Sequence, residues 1–226
     1  MSCSVIIPSA RSENLIRSVK SLLGAHRDLE PGKIVVVDDG AREMAEACLP
    51  QGITWLRGQK PFVWARNINI GIRAVRDPAV VIMGDDVLMA TPDAFGHLAE
   101  CFEEHPQIGA VSPAVRGVVG NPIQQEHRKE GLDLEPSWLA FVCVMISRQA
   151  VDVVGLLDEA FKGYGCDDVD YSWRLRRYGY QLGVLHSSVV IHDGSIPSTF
   201  RSRGDVSERW EENRLRLAEK WGDAAP

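Results

Sequence analysis

Apolar residues fall along this chain in two rhythms, and the rhythms alternate. Short unbroken runs stand at residues 4–8, 33–37, 53–56, 79–83 and 108–112. Between them apolar positions return every three or four residues, as with Leu15, Ile16, Val19, Leu22 and Leu23, and again with Ile68, Ile72 and Val75. The first rhythm predicts strands and the second helices. Residues 41–48 read as a short helix, and Asp77-Pro78 ends the helix of 65–75. Thr91 and Pro92 predict a helix start, as N-cap and first helical residue, with the helix running to about His105. Strands with one wet face alternate polar and apolar residues, and these do not. They predict a mostly parallel sheet with helices on both faces, an α/β fold.

The second half has a different texture. Residues 117–128 carry glycine, Asn-Pro and mixed polar positions, and predict a hairpin or loop. A long apolar strand is expected over 137–146, then a short helix capped by Ser147 and reaching Val154. Residues 167–178 predict a helix closed by Gly179. Two strands follow at 181–185 and 188–192, then an amphipathic, charge-rich helix at 206–221.

In such sheets ligands bind beyond the carboxyl ends of the strands. Three predicted strand ends carry polar clusters: Pro8-Ser9-Ala10-Arg11, Asp38-Asp39-Gly40 and Gly84-Asp85-Asp86. A single acid pair at a strand end is often only a turn or a helix cap. Two pairs brought together repel unless a cation or hydrogen-bond donors lie among them. A hard divalent cation such as Mg²⁺ or Mn²⁺ suits Asp85-Asp86, and a base or ribose suits Asp38-Asp39. Asp167, Asp168 and Asp170 crowd the start of one helix after a Gly-rich approach. They complement the helix dipole, and Asp170 can pair with Arg174, but one of the three could serve as a general base. His192 ends a strand, where it is either structural or, beside Asp86, a second metal ligand.

Composition narrows the partners. The chain has 226 residues, 45% hydrophobic and 25% charged, with a net charge of −6. That fits one large domain or two small lobes sharing a core, and gives nucleic acid and anionic lipid no support from overall charge. No apolar stretch approaches the roughly 18–20 residues that span a bilayer. The start has no basic region of a signal peptide, and the five scattered cysteines form no C-x-x-C pair. These features predict a reduced, cytoplasmic protein whose membrane contact, if any, is peripheral.

Taken in order, S-V-I-I-P, I-V-V-V-D-D-G, N-I-G-I-R-A, V-I-M-G-D-D-V, G-L-L-D-E-A-F, D-D-V-D-Y-S-W-R-L-R-R-Y-G-Y and V-I-H-D-G-S resemble glycosyltransferase family 2, in its rhamnosyltransferase-like branch. The resemblance runs from about Ser4 to Ser195. It implies a GT-A fold with a smaller acceptor-binding portion. It also implies inverting transfer of a sugar from a nucleotide donor to an acceptor hydroxyl, with Mn²⁺ or Mg²⁺ on the diphosphate. Pro8, Ser9 and Arg11 match the segment around the nucleotide, and Asp38 and Asp39 the segment that holds base and ribose. Arg66 and Asn69 lie in a segment that helps bind the donor. Asp86 matches the last acid of the family's D-x-D, and His192 the later histidine of the metal site. Asp168 matches the general base of the E-D pair, with Asp167 in the glutamate position. Gly84 departs from the pattern, standing where D-x-D has its first acid, and Asp85 or water would fill in.

On this basis residues 1–115 are expected to bind the nucleotide sugar, 116–200 to carry the acceptor and the base, and 201–226 to form a terminal helix. The donor is a UDP-, dTDP- or GDP-sugar. The acceptor stays open among glycan, lipid-linked sugar, protein and modified nucleobase, and a homo-oligomer is compatible. Trp138, Tyr164 and Trp173 are candidate stacking surfaces for a sugar ring, with core packing the expected role of Trp173 and an equal alternative for Trp138. Arg201, Arg203 and Arg209 could meet a phosphorylated acceptor, but the interleaved acids favour a solvated helix face. Two other readings compete. A sugar nucleotidyltransferase needs a Gly-rich phosphate loop after the first strand, and P-S-A-R-S-E has none. A non-catalytic nucleotide-sugar-binding protein is favoured by Gly84 and opposed by Asp168 and His192.

Overall fold

A computed structural model describes residues 2–126, 130–192, 194 and 206–222. Arg201, Arg203 and the end of the V-I-H-D-G-S segment lie outside the described residues.

The strands are β1 (Cys3–Ser9), β2 (Ile34–Asp38), β3 (Thr54–Arg57), β4 (Ala79–Met83), β5 (Val87–Met89), β6 (Ile108–Gly117), β7 (Leu132–Asp133), β8 (Cys143–Ser147) and β9 (Gln181–His192). The helices are α1 (Ser12–Ala25), α2 (Arg42–Ala45), α3 (Trp64–Ala74), α4 (Ala94–Glu104), α5 (Arg148–Val154), α6 (Asp167–Arg177) and α7 (Val206–Trp221). One sheet runs β3-β2-β1-β4-β8-β6-β9-β5, with β7 on β9. Strands β1 to β4 are mutually parallel, as are β6 and β9, while β8, β5 and β7 run antiparallel to their neighbours.

The unbroken apolar strands serve two cores. Val5 and Ile7 point to the face covered by α1, α2 and α4, with Leu15, Leu22, Phe95 and Leu98. Ile6 points to the face of α3, α5 and α6, with Ile68, Ile72, Val151 and Leu175. Successive side chains on a strand point to opposite faces, so only apolar runs satisfy both.

Three expectations are corrected. The long strand at 137–146 shrinks to Cys143–Ser147. Upstream, side chains take the backbone groups that a ladder needs: Gln124 bonds the N–H and C=O of Ala140, and Ser172 Oγ accepts from the N–H of Leu139. The two strands of 181–192 are one, because an irregularity absorbs His186–Ser188 between Leu185 and Val189 while the pairing with β6 continues. Helix α4 starts at Ala94 after a left-handed Asp93, not at Pro92. Thr91 is held by the sheet edge instead, its Oγ1 accepting from the N–H of Val189.

Candidate active site

The polar clusters converge where the parallel strands end. At β2, Asp38 Oδ1 accepts from the N–H groups of Gly40, Ala41 and Arg42 at 3.0, 2.7 and 3.0 Å. That carboxylate anchors the entry to α2. Asp39 has a fully covered side chain and pairs with Lys60 at 2.6 Å. At β1, Pro8 is buried and Ser9 Oγ donates to the buried Asp85 Oδ2 at 2.6 Å. The N–H of Arg11 reaches Ser9 Oγ at 3.2 Å. Asp85 therefore joins the ends of β1 and β4.

Arg66 and Asn69 do other work from α3. The Asn69 amide bonds both backbone groups of Leu157 and Glu159 Oε1, and Arg66 Nε pairs with Glu159 Oε2 at 3.3 Å. They pin the loop after α5. Burial works against the Glu159 charge, but Asn69 and Arg66 outweigh it and hold that carboxyl below its ordinary range.

The expected metal pair does come together. His192 lies opposite Val87 in the β5–β9 pairing, which sets its ring beside Asp86. Its Nε2 stands 3.4 Å from Asp86 Oδ2. Its Nδ1 bonds the carbonyl of Val118. A carbonyl only accepts, so Nδ1 carries the proton. Nε2 then faces a carboxylate either with a second proton or with a lone pair, and a cation between the two satisfies the lone pair. A ring nitrogen oriented by a backbone carbonyl is the usual second support of a metal-bound histidine. The donor set thus fits a divalent cation.

Gly84 shapes that pair. A Cβ on it would lie 2.8 Å from Asp86 Oδ1. The missing side chain is the room in which the Asp86 carboxylate sits. Among the described residues no group of three or more His, Cys, Asp or Glu side chains is placed to hold a metal.

The acid turn of α6 is built on the opposite principle. Asp167 is buried, with Oδ1 accepting from Gly165 N–H at 3.1 Å and Oδ2 without a hydrogen-bond partner. Burial first, then the charge of Asp168, push its carboxyl well above the ordinary range. Burial also raises Asp168, against the pull of the backbone at Val169 and Phe141. Asp168 keeps part of its surface open, although protein encloses its carboxyl on most sides. Asp170, on the same turn, is buried but fully engaged, by Arg174 at 3.0 Å, Lys220 at 2.8 Å and Trp221 Nε1 at 2.9 Å.

Asp168, His192, Trp138 and Tyr164 line one cleft of about 590 Å³. Trp173 does not, as it packs edge-on against Trp221. The cleft's far wall is α7, through Trp210, Arg214 and Leu217. Sequence reading missed these three because the acids of α7 suggested a solvated helix. Their spacing at 210, 214 and 217 marked a single face. Asn213 docks that face, bonding the N–H and C=O of Lys162 and the C=O of Tyr164. No described helix is long and apolar enough to cross a membrane.

Comparison with known proteins identifies the family to which this fold belongs. Residues 4–152 match the family described as Glycosyl transferase family 2. The chain belongs to that family. It is 31% identical over 81 residues to human polypeptide N-acetylgalactosaminyltransferase 18, covering 36% of this chain and 13% of that protein. Its fold superimposes on GalNAc-T7 with UDP, GalNAc and Mn²⁺ at a TM-score of 0.78 and 15% identity, covering 99% of this chain and 48% of the other. It also superimposes on the mannosyltransferase PcManGT of Pyrobaculum calidifontis with GDP-Man and Mn²⁺, at a TM-score of 0.68 and 16% identity, covering 96% and 63%. The GT-A expectation holds for the fold. The chain spans less than two thirds of each of these relatives.

Proposed function

We propose that this chain is the catalytic unit of an inverting glycosyltransferase that moves a sugar from a nucleotide donor to an acceptor hydroxyl. One observation carries the reading: Asp168, a carboxylate primed by burial to take a proton, lines the same cleft as His192, whose ring stands beside Asp86. An alcohol is a poor nucleophile, so its proton must leave as it attacks. The acceptor oxygen bonds to the anomeric carbon, the bond to the diphosphate oxygen breaks on the opposite face, and the proton passes to Asp168. Asp167, buried behind it, keeps its own proton and takes no part in bonding.

Asp86 and His192 would hold Mn²⁺ or Mg²⁺. Such an ion neutralises charge on the leaving diphosphate. Two side chains fall short of its coordination number, and donor phosphates and water customarily supply the rest. Asp39, with Lys60 paired to it, would meet the base and ribose, and Ser9 and Arg11 would flank the nucleotide. Asp38 and Asp85 serve by holding those loops in place.

The test is a thermal-shift screen of UDP-, dTDP- and GDP-sugars, with Mn²⁺ or with a chelator. One donor should raise the melting temperature, and more strongly with Mn²⁺. Stabilisation followed by neither transfer nor hydrolysis would favour a pure binding protein. No stabilisation by any donor rejects the proposal.

A further inference from the structure

Seven large hydrophobic side chains are strongly exposed among the described residues, and three of them, Val118, Tyr164 and Trp210, line the cleft of Asp168. Trp138 lines it too, with its indole against Gly120. Trp210 rests on the Gly-rich turn before α6: a Cβ on Gly165 would lie 3.0 Å from its Cδ1. Gly165 therefore lets the indole settle beside the base-bearing helix, while half of its surface stays open. Exposed aromatic surface gathered at one concave place marks a binding site.

We infer that α7 supplies the acceptor subsite, and that Trp210 is a specificity-determining residue that stacks on a sugar ring of a carbohydrate acceptor. The inference rests on the transferase reading above. A pyranose has an apolar C–H face and a hydroxyl edge. Flat aromatic walls fit the first, and Asp168 needs the second within reach. A lipid tail calls for a groove closed to water and free of ionisable groups, whereas this cleft is open and holds Asp168, His192 and Arg214. A nucleic-acid acceptor calls for unpaired positive charge, and Arg214 is committed to Glu211 at 2.7 Å.

Saturation-transfer NMR with millimolar octyl β-glucoside and methyl glycosides of glucose, galactose, mannose and N-acetylglucosamine tests this on the whole chain. Ring protons of at least one glycoside should be saturated by the wild-type protein and by Trp210→Phe. Trp210→Ala should lower the signal about fivefold or more. The indole is half-exposed and α7 stays docked through Asn213, so the variant should fold and keep any Mn²⁺-dependent stabilisation by donor. No ring signal, an unchanged signal in Trp210→Ala, or saturation confined to the octyl chain overturns the inference. Loss of donor stabilisation in the wild-type protein defeats the transferase reading separately.

Discussion

The acids at the strand ends and the acids on α6 are treated in opposite ways. Asp38 receives three backbone N–H groups, Asp39 a lysine and Asp85 a serine. Each is fixed by a donor and so stabilises a loop. On α6, Asp167 and Asp168 are enclosed with too few donors for two charges, and both hold protons more tightly than a free carboxylate. Asp170, on the same turn, shows that this helix can satisfy an acid when it is given Arg174, Lys220 and Trp221. A paired carboxylate grips its surroundings, and a starved one is ready to accept a proton.

The largest expected effect comes from breaking the second class. Asp168→Asn should cut transfer about 10²- to 10⁴-fold, the usual worth of a general base, and leave donor stabilisation intact. Normal transfer would remove Asp168 from the mechanism. Next, Asp170→Ala strips three partners of their shared acceptor and should cost roughly 3 kcal/mol, read as a lower urea midpoint. A loss within error would mean that α7 docks without it.

The third prediction is a pH dependence. The folded state keeps protons on Asp167 and Asp168 that the unfolded chain has already released. Stability attributable to the pair is therefore present below the ordinary value of 3.8, and falls as pH rises toward the raised folded values. Asp167→Asn should flatten that decline and gain on the order of 1–2 kcal/mol at neutral pH. An unchanged slope would show that the pair is not strained. The acid limb of transfer should likewise sit above the ordinary carboxylate range.

Smaller effects probe the metal pair. His192→Ala should weaken Mn²⁺-dependent donor stabilisation about tenfold, while stabilisation in chelator stays as it was. The smallest effect is the most discriminating. Gly84→Asp installs the acid that the D-x-D resemblance implies at this position, yet its Cβ would meet the Asp86 carboxylate. Mn²⁺ dependence should fall several-fold, with stability changed by only about 1 kcal/mol because a flexible side-chain tip can move. Stronger Mn²⁺ dependence would show instead that the position lacks only a ligand.

Sequence alone reached the strand-end half of this comparison more easily than the helical half. β1, β2 and β4 are apolar runs with polar stops, and a period of that kind survives packing. Asp86 and His192 are paired by ligand chemistry and by resemblance, and their proximity comes from the β5–β9 register, which neither residue states locally. Residues 139–142 look like strand because they are apolar, but side chains from Gln124 and Ser172 take the backbone groups of Leu139 and Ala140. Asn69 was expected near the donor, yet all its hydrogen bonds go to Leu157 and Glu159, partners 88 and 90 positions away. The wall of the cleft made by α7 was hidden by its many acids, since amphipathicity tells which face is buried but not what it is buried against.

The Asn213 clasp has a consequence for how such proteins diverge. It holds α7 by the backbone of Lys162 and Tyr164, not by their side chains. Substitutions at 164 can therefore redraw the rim of the cleft without undocking the helix. A lineage could explore new acceptors there by single steps, each leaving the scaffold and the nucleotide end untouched.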